Sequence, residues 1–134
     1  MRLALGIVAG LVVAFLFVFG VEWIGHGLYP PPARLDIHDP ADQARLMDAM
    51  PAAAKAMVLL GWFAGALAGA WTANRIAGRS IAGWIVALLV IAAGVATMVM
   101  IPHPLWMWAG GIALPLVAGW LAERVAGRRG AAVA

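Results

Sequence analysis

The sequence predicts an all-α integral membrane protein: four transmembrane helices in a bundle, with a short interfacial helix between the first two. Three observations predict it. Hydrophobic residues make up 65% of the 134 and charged residues only 11%, with a mean hydropathy of +0.95, outside the range of soluble domains. Four apolar runs, at 3–28, 52–76, 81–101 and 105–126, each reach the roughly 20 residues that cross a bilayer. None of the runs alternates as a barrel strand does. Backbone groups in lipid must find partners within their own segment, so the runs are helices. Little chain is left over, and 1–134 reads as one transmembrane domain.

The first run follows Arg2 and is too long for a secretory signal. Glu22, Trp23 and His26 stand where a small-residue cleavage site would be, so it reads as a retained helix. The outer loop, 29–50, opens on Pro30, Pro31 and Pro32 and then offers Asp39-Pro40, an aspartate cap with proline at the first helical position. A short helix begins there, with Leu46, Met47 and Met50 on one face and Asp42, Arg45 and Asp48 around the others, as suits a membrane surface. Met50-Pro51 leads into the second run. Ala77-Gly78-Arg79-Ser80 joins the second run to the third, and Pro102-His103-Pro104 joins the third to the fourth. Such tight connections make these three helices antiparallel neighbours.

Basic residues set an orientation. Arg2, Arg75, Arg79, Arg124, Arg128 and Arg129 fall on one side, against Arg34, Arg45 and Lys55 on the other, which places both termini in the cytoplasm and the long loop outside. Trp23, Trp106 and Trp108 then mark the outer boundary and Trp71, Trp84 and Trp120 the inner one, with Trp62 deeper, facing a partner or the core. The pI of about 10.7 would suggest nucleic acid in a soluble chain. Here the net charge is only +3 and the bases sit at segment ends, so no nucleic-acid partner is expected. The absence of cysteine removes disulfides, thiolate metal sites and thiol catalysis.

Gly61, Gly65 and Gly69 recur every four residues and form a smooth ridge on the second run, where another helix can approach closely. Packing within the chain is the first reading of this ridge and a subunit interface the second. Pro115 cannot donate to the carbonyl of Gly111, which predicts a bend near Gly110-Gly111.

Candidate chemistry gathers at the outer end of the first helix. Glu22 and His26 lie one turn apart on one face, and a carboxylate that deep should face the bundle or a watery pocket. His103, held between two prolines at the same level, could complete a cluster. Three readings of Glu22, His26 and His103 stand open: mutual hydrogen bonding without a ligand, a metal site of the zinc or ferrous kind, and proton or cation handling. No cofactor is named by the residues. His38 reads as a solvated loop residue, and Lys55 as a snorkelling base or a partner of Asp48, with Glu22 a sharper option.

Glu22-x-x-Gly25-His26-x-x-Tyr29-Pro30, the Met50-Pro51 entry, the glycine ridge and Ile101-Pro102-His103-Pro104-Leu105-Trp106 together resemble a group of uncharacterised small bacterial four-helix inner-membrane proteins. The likeness spans nearly the whole chain and implies a bacterial inner-membrane location without an activity. A fainter similarity is to small multidrug resistance transporters, from which the long outer loop and the outward position of Glu22 depart.

Two function classes follow. One is a non-catalytic accessory or structural subunit that acts by packing against lipid, other membrane subunits or a second copy of itself. The other is a small oligomeric transporter or a proton- or cation-binding protein using the Glu-His cluster. The chain offers no nucleophile triad or phosphate loop, so an enzyme is not expected.

Overall fold

A computed structural model describes residues 1–31, 35–36 and 38–127. Pro32 in the loop and Arg34, Arg128 and Arg129 in the charge count lie outside the described residues. The described chain is all-helical: α1 Arg2–Leu28, α2 Pro40–Ala49, α3 Ala52–Ala77, α4 Ser80–Met100 and α5 Leu105–Gly127. All but α2 are long and apolar enough to cross a membrane, and the protein is a multi-pass membrane protein built as a four-helix bundle.

Local chemistry sets the start of α2 and the end of α3. The Asp39 carboxylate accepts from the amide of Ala41 at 2.8 Å and caps α2, with Pro40 opening the helix. Asp42 accepts from the Asp36 amide at 3.0 Å and pairs with Arg45 at 3.3 Å, which ties α2 to the preceding loop. Met47, on the apolar side of α2, rests against the core. At the end of α3, Gly78 adopts φ 68° and its amide reaches the carbonyl of Asn74. That left-handed turn suits glycine and reverses the chain with two residues, Gly78 and Arg79, between the helices.

α3 is the hub of the bundle. It packs against α1, α4 and α5, while α4 also meets α1 and α5; α1 and α5 do not touch. The tightest seam is α1 on α3. A methyl added at Gly69 would sit 2.5 Å from the carbonyl oxygen of Gly10, and one added at Gly10 would sit 2.6 Å from that of Gly69. Gly65 faces the carbonyl of Ala14 and Gly6 that of Ala73 in the same way, at 2.7 and 2.8 Å. The ridge of α3 therefore meets a complementary stripe of α1, Gly6, Gly10 and Ala14, and packs within the chain. Gly61, nearest the loop, is looser, with Val21 at 3.5 Å.

Aromatic side chains fill slots that glycines leave open. Trp62 is 6% exposed and lies where a methyl on Gly94 or Gly111 would meet its ring at 2.9 or 2.7 Å, so it faces the core. Leu59 is also buried, against Gly110. Pro115 is fully buried in a helix that continues on both sides of it. The neighbouring Gly110 and Gly111 serve there as seats for Leu59 and Trp62.

Candidate functional site

Glu22 lies near the loop end of α1. At 1.5 Å per residue it stands about 30 Å along the helix from Arg2, and Lys55 of α3 stands about 30 Å from Arg75. Thr97 of α4 is about 27 Å from Arg79 by the same measure. One hydrocarbon thickness thus separates the arginine end of the bundle from the level of Glu22, Lys55 and Thr97.

At that level two cavities adjoin, both lined by Glu22 and Val58. The larger, about 220 Å³, runs down between α1 and α4 to Ala14 and Val90, with Trp62 of α3 as its floor. Phe15, Phe19, Ala93 and Thr97 along it are exposed, so the groove opens sideways, toward the bilayer. The smaller, about 30 Å³, continues from Glu22 toward His26, Tyr29 and Met50. Both are chiefly apolar. The Thr97 hydroxyl turns back to the carbonyl of Ala93 at 3.0 Å. The Glu22 carboxylate accepts no hydrogen bond and joins no ion pair among the described residues.

The three polar residues read from the sequence come together only in part. Glu22 and His26 share a face and line the smaller cavity, yet His26 Nδ1 lies 2.8 Å from the backbone carbonyl of Glu22 and makes no bond with its carboxylate. His103 lines neither cavity. Its Nδ1 is 2.6 Å from the carbonyl of Ile101, inside its own turn. Among the described residues no three His, Asp or Glu side chains converge on a possible metal position. The physical reason is local: each imidazole satisfies a backbone carbonyl within its own segment, which takes it out of a cluster. Nor does Lys55 pair with Asp48 or Glu22. His38 is exposed in the loop.

The arginine end holds polar contacts that sequence reasoning passed over. Trp84 Nε1 donates to the Glu123 carboxylate at 2.9 Å and joins α4 to α5. Asn74, 5% exposed, accepts from the amide of Gly83 at 2.7 Å through Oδ1 and joins α3 to the first turn of α4; its Nδ2 has no partner among the described residues. Any side chain at Gly83 would strike that amide, 2.6 Å away. The signal was legible: an amide and a carboxylate inside apolar runs invite the question asked of Glu22. Arg124 stacks over Trp120 at 4.1 Å and Arg75 over Trp71 at 5.8 Å, which suits bases at a headgroup boundary.

No protein-family model, curated protein or solved structure matches this chain.

Proposed function

We propose that the chain is an accessory protein of a bacterial inner membrane that binds partners rather than transforming substrates, and that its working side is α1. The observation that carries this reading is how little of α1 is sealed. It buries only Gly6, Gly10 and Ala14, while Leu5, Val8 and Val12, outside both cavities, stay exposed at the three-and-four spacing of a helix seam. The glycine ridge is already used inside the chain, which leaves this face for a helix of another subunit. The bacterial setting rests on the resemblance of the two histidine motifs. Cytoplasmic termini are supported by Arg2, Arg75, Arg79 and Arg124 at one end of the bundle, against Arg45 and Lys55 at the other. A photocrosslinking residue at Val8, exposed and outside both cavities, tests the proposal: in cells it should yield a discrete adduct of protein mass, while one at Leu116 of α5 should not. Equal labelling of lipid from both positions would sink it.

A second reading, cation binding at Glu22, is favoured by the unpaired carboxylate in its groove. A metal ion is poorly served there, since one carboxylate leaves most coordination positions unfilled. A cation that carries its own apolar body is better served.

A further inference from the structure

We propose that the groove between α1 and α4 is a seat for one phospholipid with a primary-amine headgroup, its acyl chain against Trp62 and its ammonium at Glu22. The inference rests on the cation-binding reading of Glu22 and names the bearer of the charge.

Dimensions come first. The groove runs from the level of Ala14 up to Glu22, the outer half of one hydrocarbon thickness by the helix ruler, which is the stretch one leaflet's acyl chain occupies. Its 220 Å³ exceeds the cavity of about 150 Å³ that takes a benzene ring. It falls short of the roughly 300 Å³ at which pockets begin to enclose a drug-sized molecule. A segment of chain fits, and the rest of the molecule remains in the bilayer on the open side. Walls of Phe15, Phe19 and Trp62 suit a methylene chain, and the bare Gly94 gives the Trp62 ring its place on the floor.

Charge comes second. Glu22 closes the groove at headgroup level with a carboxylate that has no hydrogen-bond or ion-pair partner among the described residues. Lys55 lines neither cavity but stands at the same level, one turn above Val58 and two above Trp62 on α3. It too has no ion-pair partner among the described residues. An acid at the head of the groove and a base at the same membrane level, each without an ion-pair partner among the described residues, complement a zwitterionic headgroup: the ammonium toward Glu22, the phosphate within the reach of the long Lys55 side chain. The ammonium hydrogens separate a primary amine from a quaternary one, because only N–H groups donate to a carboxylate. An anionic headgroup without an amine would meet Glu22 with nothing to offer it.

Native mass spectrometry of the full chain, released from nanodiscs holding equal phosphatidylethanolamine, phosphatidylcholine and phosphatidylglycerol, tests the proposal. Wild type should retain one lipid, phosphatidylethanolamine, enriched at least about fivefold over the other two, a modest figure for one charge-assisted hydrogen bond. Glu22→Gln should bring the three lipids to near parity. Lys55→Gln should lower retention of all three together. Ala93→Phe, on the exposed side wall, should occupy the groove and release the lipid while leaving the melting temperature close to wild type. Retention by wild type in the bulk ratio overturns the assignment. If Ala93→Phe releases lipid but Glu22→Gln leaves the preference intact, the headgroup assignment falls and the cation reading of Glu22 falls with it. If Ala93→Phe keeps the preference and Glu22→Gln loses it, the seat falls while cation binding at Glu22 stands. Should Glu22→Gln fail to fold, Glu22→Asp replaces it, and an unchanged phosphatidylethanolamine preference in that shortened variant also counts against the contact.

Discussion

Adding a single methyl group at two ridge positions should have opposite effects. In Gly69→Ala the new carbon would lie 2.5 Å from the Gly10 carbonyl oxygen, 2.8 Å from Ala14 Cβ and 3.1 Å from Val86 Cγ1. The first obstacle is backbone and cannot rotate away, so α1 must move off α3. Overpacking of this kind costs about 1–3 kcal/mol, and a rigid backbone contact belongs at the upper end. The better helix propensity of alanine returns up to about 1 kcal/mol, which leaves a net loss of about 1–2 kcal/mol. At Gly61 the new methyl meets only Val21 and Val18, at 3.5 and 3.6 Å, ordinary contact distances. Gly61→Ala should therefore keep most of the helix gain, about 0.5 kcal/mol or more. Unfolding in mixed micelles as the denaturing detergent fraction rises, followed by circular dichroism, would read both. The two variants should straddle the parent, separated by about 2 kcal/mol from these terms. Equal shifts in the same direction would refute the claim that α1 and α3 touch through their backbones at Gly69 and part toward Gly61.

Trp62→Ala empties the slot between Gly94 and Gly111 and should cost about 3–5 kcal/mol, whereas Trp23→Ala, 83% exposed, should shift detergent unfolding little. A double-mutant cycle on Trp84→Phe and Glu123→Leu should return a coupling of about 0.5–1.5 kcal/mol, the scale of hydrogen bonds between membrane helices; a zero coupling would remove that contact. The same cycle on Glu22→Gln and His103→Ala should be additive within about 0.5 kcal/mol, since the two groups bond to nothing in common. Reporter fusions after Arg129 and within the loop before Asp39 should place the first in the cytoplasm and the second outside, and the reverse pattern would overturn the orientation.

What the sequence by itself determined is whatever depends on the chain's local relation to its solvent. Hydrophobic length decided the four spans, because lipid forces each segment to satisfy its own backbone. Asp39-Pro40 decided where α2 begins, and Gly78 where α3 ends, since caps and left-handed turns are settled within a few residues. The glycine ridge was legible for the same reason, and its mate on α1, Gly6-x-x-x-Gly10-x-x-x-Ala14, could have been read by the same rule. Which polar groups meet belonged to the tertiary structure. Glu22, His26 and His103 share a membrane level, but level is one coordinate of three, and rotation about each helix axis settles the others. Those rotations follow from packing: the α1–α3 seam turns Glu22 toward the groove beside α4, and Trp62 between Gly94 and Gly111 fixes how α4 and α5 face α3. With α1 and α5 on opposite sides of the bundle, the two imidazoles settle on carbonyls of their own segments, and Glu22 is left alone at the head of an apolar groove.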